Sequence, residues 1–214
     1  MPYHQEEKKR SIHTLLLLNL LSLAFFLFLL YEVLSEGRLV DLDTWISRHV
    51  PHIQHQDLTE WIVMITDMNG VVGSAIISLL VSAYLLYVKN RKALFFYWIA
   101  YLGGSVLFTA IKYSVERARP LLKIINEQGL SFPSGHSTMS MVMALSLYFI
   151  FISKCTSKRV QVFLLTMVIA WPCLIAFTRI YLNVHWLSDT LAGLTLGIFW
   201  VTLLILLSQF RLQK

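Results

Sequence analysis

Residues 12–34 read IHTLLLLNLLSLAFFLFLLYEVL, and Glu32 is the one formal charge among them. A stretch this long and this apolar crosses the hydrocarbon core of a bilayer as a helix. Lipid offers backbone groups no other partner, so the chain must satisfy them internally. Lys8-Lys9-Arg10 precede it, as basic residues precede a secretory signal. The apolar part is longer than a secretory core, however, and Tyr31-Glu32-Val33-Leu34-Ser35-Glu36 contains no small-x-small cleavage site. It reads as a retained anchor. Five further apolar runs follow, at 68–88, 93–111, 136–153, 160–178 and 189–208. None alternates polar and apolar residues as barrel strands do. The second run has Asp67 and Asn69-Gly70 near its start, which predicts a broken or tilted entry.

Composition agrees. Of 214 residues, 57% are hydrophobic and 14% charged, and mean hydropathy is +0.64, which excludes an ordinary soluble globule. The expected fold class is all-α: a polytopic membrane protein of six transmembrane helices forming one domain, 1–214.

The net charge of +6 suggests nucleic acid, but its distribution argues against that partner. Basic residues collect in alternate loops. Lys8, Lys9, Arg10, Lys89, Arg91, Lys92, Lys154, Lys158, Arg159, Arg211 and Lys214 make eleven on one side. Arg38, Arg48, Lys112, Arg117, Arg119, Lys123 and Arg179 make seven on the other. The positive-inside rule then puts both termini in the cytoplasm. Cys155 and Cys173 fit neither a disulfide framework nor a metal pair.

Three polar clusters end apolar runs on the outer face. Lys112 and Arg119 are seven residues apart, which places them on one helical face if the third run extends that far, and Pro120 discourages continuation. An ammonium beside a guanidinium clamps phosphate; two basic residues at an interface are the plainer alternative. Pro133-Ser134-Gly135-His136 opens the fourth run. Serine caps a helix, glycine lets backbone approach a ligand, and helix-start amides attract anions. The alternative is a capped helix with a surface histidine. Arg179, His185 and Asp189 form the third cluster, with His185 and Asp189 four residues apart across a break near Asn183. A carboxylate on one imidazole nitrogen fixes the tautomer and leaves the other as a nucleophile. Asp189 also suits a first-turn acid.

Taken in order, from Lys112 to Asp189, these clusters resemble the signature of the type 2 phosphatidic acid phosphatase superfamily. That superfamily includes membrane lipid phosphatases, glucose-6-phosphatase, soluble acid phosphatases and vanadium haloperoxidases. One departure is Thr178, where the family usually has serine before the arginine of its third motif. The resemblance implies a catalytic set of His185, His136 and Asp189, and a phosphate-binding set of Lys112, Arg119, Ser134, Gly135 and Arg179. His185 would attack phosphorus and form a phosphohistidine, with Asp189 orienting it. His136 would protonate the departing oxygen and later activate water. The scheme uses no metal and no cofactor, and the cations would repel a divalent ion from His136, His185 and Asp189. Small bacterial members imply a plasma-membrane location, and a lipid phosphomonoester or diphosphate as substrate: undecaprenyl diphosphate, phosphatidylglycerophosphate or phosphatidic acid. The bilayer holds the tail.

Rival readings are a transporter with an outer anion site and a non-catalytic lipid-binding protein. Other residues read as structural. His52 and His55, three apart beside Asp57, have the spacing of a weak zinc pair, but the plainer reading is a surface amphipathic segment with Trp45, Ile46, Val50 and Trp61 as apolar contacts. Glu116 and Arg117 read as solvent-facing or locally paired, and Trp98, Tyr113, Tyr181 and Trp186 as interfacial belt residues. Gly103-Gly104 reads as a close helix contact.

Overall fold

A computed structural model describes the backbone of residues 2–152 and 156–211, and the side chains of 12–152 and 156–208. The side chains of Lys8, Lys9, Arg10, Lys154, Cys155, Arg211 and Lys214 lie outside the described residues. Eight α-helices follow in order among the described residues: α1 (Pro2–Leu34), α2 (Arg38–His49), α3 (Gln56–Asp67), α4 (Val71–Tyr87), α5 (Arg91–Val115), α6 (Gly135–Leu147), α7 (Lys158–Tyr181) and α8 (Leu187–Arg211). A 3-10 turn, Val50–Ile53, joins α2 to α3, and a π-helical turn, Tyr148–Ile152, extends α6.

Five of these are long and apolar enough to span a membrane: α1 from Ile12, α5, α6 with its π turn, α7 and α8. The pair α3 and α4, bent by 44° at its junction, passes the same test together and gives six if it is one broken span. The expected interruption at Asp67 and Asn69-Gly70 is this bend. Gly70 leaves helical geometry in extended conformation and serves as the N-cap of α4. Asn69 is buried, and its amide nitrogen donates to the His136 carbonyl at 2.9 Å.

Helix α6 is the hub, packed against α5, α7 and α8. Of its span 56% is buried, against 17% for α5. Burial of apolar surface does not drive helices together in lipid; close packing and hydrogen bonds do. Gly193 and Gly197 of α8 supply the approach to α6. A Cβ at Gly193 would lie 2.6 Å from the Ser134 carbonyl oxygen, and one at Gly197 would lie 2.8 Å from the Met141 Cβ. Gly103 does the same for α5, where a Cβ would meet the Trp200 ring at 2.3 Å, as the sequence suggested. Helix α1 lies on α8, where Phe26, Leu29 and Val33 pack with Ala192, Leu196 and Phe132. Deeper along the same contact, Asn19 donates to the Phe199 carbonyl and to Thr202 Oγ1, both at 2.9 Å.

At one end of the bundle α2, the 116–134 segment and the α7–α8 connection are tied together. Asn183, with φ of 55°, donates to the carbonyls of Ser47 and Leu122 at 3.0 and 3.1 Å. One belt assignment fails here, and a second residue of that set has an internal partner. Tyr181 is buried, and its hydroxyl accepts from the His55 amide at 3.0 Å, so it pins the α2–α3 connection to α7. Trp186 donates to the Ala118 carbonyl at 2.9 Å and lies under the Arg117 guanidinium, 5.3 Å from ring to Cζ.

Candidate active site

Lys112 stands in the last turn of α5, and its Nζ donates to the Leu130 carbonyl at 2.8 Å. The expectation that Arg119 shares its helical face needs correction. Glu116 adopts a left-handed conformation (φ 52°), which ends α5 at Val115. Arg119 therefore reaches the site from irregular chain. Its Nε donates to the Gly129 carbonyl at 3.1 Å, and its Nη1 to the Val184 carbonyl at 2.8 Å and to His185 Nε2 at 3.0 Å.

That last bond assigns the imidazole tautomer. Nε2 accepts from a guanidinium that cannot lose its proton, so Nδ1 carries the hydrogen and faces Asp189 Oδ2 at 3.4 Å. His185 lies in the connection just before α8, as the break near Asn183 suggested. Burial pushes its imidazole down to about 4, with Arg119 and Arg179 acting in the same sense and Asp189 opposing. The ring is neutral at physiological pH, with a lone pair directed at Arg119. Asp189 Oδ2 also accepts from the Trp186 amide at 3.0 Å and from the Ser131 hydroxyl.

His136 occupies the first turn of α6. Ser134 caps that helix, its hydroxyl accepting from the Ser137 amide at 3.4 Å and from the Ser137 hydroxyl at 3.1 Å. It is fully buried and does not line the cavity, so of the expected phosphate ligands it is the one committed to capping. Gly135 packs against Phe108, whose ring a Cβ would meet at 3.0 Å, and this brings the first amides of α6 beside α5. Those N-terminal amides have no acceptor within the helix.

A cavity of about 320 Å³ brings five of the eight expected residues together: Lys112, Arg119, Gly135, His136 and His185 all line it. Asn69, Gly70, Val71, Ser74, Tyr101, Ser105, Phe108, Glu127 and Met139 complete the wall. Asp189 stands behind His185. Arg179 is also behind the wall, 1% exposed, with Nη1 on Thr66 Oγ1 at 3.1 Å and Nη2 on Glu127 at 2.7 Å. Thr178, the departure from the family pattern, bonds back to the Ile175 carbonyl at 2.6 Å within α7.

Sequence reasoning missed three charged residues. Glu127 joins Arg179 to Arg119, which it meets at 3.7 Å. Burial opposes its ionisation, yet Arg179 and Arg119 hold its carboxyl below the ordinary carboxylate range. Arg117 is not solvent-facing or locally paired. It bridges Asp43 of α2 at 2.8 Å and Asp189 of α8 at 2.6 Å. Asp43 is 1% exposed. Both pairs join residues more than seventy positions apart, so no local spacing signals them.

A neutral imidazole held by a carboxylate, with a second imidazole and two cations lining the same cavity, suits phosphoryl transfer. Comparison with known proteins agrees. A family model described as the PAP2 superfamily matches residues 93–213, and the chain belongs to that superfamily. Phosphatidylglycerophosphatase B of Bacillus subtilis (strain 168) is 26% identical over 184 residues, covering 83% of this chain and 88% of that protein. The fold is shared with the crystal structure of the first transmembrane PAP2-type phosphatidylglycerolphosphate phosphatase from Bacillus subtilis. Its TM-score is 0.80 at 22% identity, over 91% of this chain and 96% of that one. Aquifex aeolicus LpxE also aligns, with a TM-score of 0.62 at 18% identity, over 77% and 94%.

Proposed function

We propose that this membrane lipid phosphatase removes the terminal phosphate from phosphatidylglycerophosphate or a chemically close lipid phosphate, through a phosphohistidine on His185. The reading is carried by one observation: His185 and His136 line the same cavity as Lys112 and Arg119. Nε2 of His185 attacks phosphorus as the bond to the lipid oxygen breaks, and His136 gives that oxygen its proton. Water then attacks phosphorus, His136 takes a proton from it, and the bond to Nε2 breaks. Lys112, Arg119 and the first amides of α6 face the non-bridging oxygens, where charge develops in the transition state. Arg179 acts from behind Glu127, as a buried positive charge and a brace.

Phosphatidylglycerophosphate leads because of the relatives named above and because of the wall chemistry. Hydroxyls of Ser74, Ser105 and Tyr101 suit a glycerol headgroup, while Phe108, Met139 and Val71 suit the start of an acyl tail. Undecaprenyl diphosphate and phosphatidic acid are the comparison substrates. The loop charges support a plasma-membrane protein with both termini in the cytoplasm and the site on the outer face. Intact right-side-out vesicles would then hydrolyse added lipid phosphate without permeabilisation.

The test is phosphate release by purified protein in detergent from these three lipids and p-nitrophenyl phosphate, with vanadate or chelator added. Release should be fastest from phosphatidylglycerophosphate, blocked by vanadate, insensitive to chelator and abolished by His185→Ala. No release from any lipid phosphate would end this reading. Undiminished turnover by a folded His185→Ala variant would remove the nucleophile.

A further inference from the structure

We propose that Asp43 of α2, acting through Arg117 and Ser188, is a positioning residue for the Asp189–His185 pair, so that the surface helix α2 belongs to the catalytic unit. The inference rests on the function proposed above. Asp43 lies outside the family-matched residues 93–213, on a helix whose sequence announces only amphipathicity.

The geometry is specific. Asp43 Oδ1 accepts from the Ser188 amide at 2.9 Å, and its Oδ2 from the Ser188 hydroxyl at 2.5 Å and from Arg117 Nη2 at 2.8 Å. Nη1 of the same guanidinium donates to Ser188 Oγ at 2.7 Å and to Asp189 Oδ1 at 2.6 Å. One rigid fork thus spans two buried carboxylates, and Trp186 supports it from below. The consequence falls on Asp189. Its Oδ1 is taken by Arg117, which leaves Oδ2 for Ser131, the Trp186 amide and His185 Nδ1. Asp43 also fixes the backbone and the hydroxyl of Ser188, one residue before Asp189. It therefore sets where the first turn of α8 begins and how the carboxylate meets the imidazole.

Stability alone is a poor reason to bury this cluster. Desolvating ions is expensive, and apolar replacements of buried ion networks are often no less stable. Orientation of a catalytic carboxylate by an outer partner is worth more to rate than to folding.

The test uses full-length Asp43→Asn and Ser188→Ala in detergent, with kcat and KM measured on monodisperse protein beside the wild type. Asp43→Asn sets an N–H donor against either the guanidinium or the Ser188 amide, both donors, whereas Ser188→Ala deletes only the linking hydroxyl. Asp43→Asn should lower kcat by about tenfold to a hundredfold, the usual cost of losing an outer partner, with KM unchanged. Ser188→Ala should lower kcat less, again at constant KM. If Asp43→Asn does not fold, Ser188→Ala decides alone. Wild-type kcat in the folded variants, or parallel changes in kcat and KM, would overturn the assignment. Absence of wild-type turnover on every lipid phosphate would instead remove the lipid-phosphatase reading, and this inference with it.

Discussion

Gly193→Ala tests whether the α6–α8 contact sets catalytic geometry as well as stability. The new Cβ would sit 2.6 Å from the Ser134 carbonyl oxygen, 2.9 Å from the Ser137 Cβ and 3.1 Å from the Thr138 amide nitrogen. Two of these three atoms are backbone, so no side chain can rotate to relieve the clash. The Ser134 carbonyl already accepts from the Thr138 amide and hydroxyl, both at 2.9 Å. The Ser134 amide donates to the Asp189 carbonyl at 3.0 Å. To restore ordinary contact the two helix starts must part by roughly 1 Å, at a cost of about 1–3 kcal/mol for overpacking. That movement separates Gly135 and His136 from His185 and Asp189. A misplacement of about 1 Å costs on the order of a hundredfold in rate, equivalent to about 2.7 kcal/mol in the barrier. The assay is phosphate release in detergent, normalised to folded protein by size exclusion. Gly104→Ala serves as control, because its Cβ would meet the end of the Val142 side chain at 3.1 Å. Wild-type kcat in a folded Gly193→Ala variant would refute the coupling of packing to chemistry.

His136→Ala should lose about a hundredfold to ten-thousandfold in lipid turnover, the usual worth of a positioned proton donor. With p-nitrophenyl phosphate, whose leaving group needs no proton, rapid mixing should show a nitrophenol burst followed by slow turnover. Absence of the burst would count against His136 as the acid. The His185 imidazole is held at about 4 in the folded protein, whereas the unfolded value is about 6.5. The unfolded chain binds more protons between those values, so stability is lost as pH falls through that window, by roughly 3 kcal/mol for this group. Tryptophan-monitored melting in detergent should show a steeper acid-side decline in the wild type than in His185→Asn. Parallel curves would contradict the neutral, buried imidazole.

What the sequence disclosed and what it withheld divide along chain distance. Pro133 to His136 and His185 to Asp189 are short segments in which a helix start fixes the relation among their own residues, and both behave as their spacing suggests. Asp67 and Asn69-Gly70 signalled the α3–α4 bend for the same reason: backbone-breaking residues act locally. Lys112 and Arg119 line one cavity, but not through a shared helical face. The left-handed Glu116 that ends α5 is not a residue type that announces such a turn. Arg117, Asp43 and Glu127 were missed because each takes its meaning from partners on other elements. A buried Asp on an amphipathic helix looks like any solvent-facing one until the fold is closed. Gly193 and Gly197 were available as a small-residue repeat of the kind that joins membrane helices, and nothing but their spacing was needed to notice them.

The interruption between α3 and α4 acts as an index mark. Because α4 restarts at Gly70, the angular position of every later residue on that helix is counted from a point fixed by the Asn69 bond to His136. Each residue turns an α-helix by roughly 100°. Lengthening α4 by one position just after Gly70 would swing Ser74 away from the cavity wall and bring a neighbour in its place. A chain that kept the three polar clusters unchanged would then re-line this side of the cavity by moving this break alone.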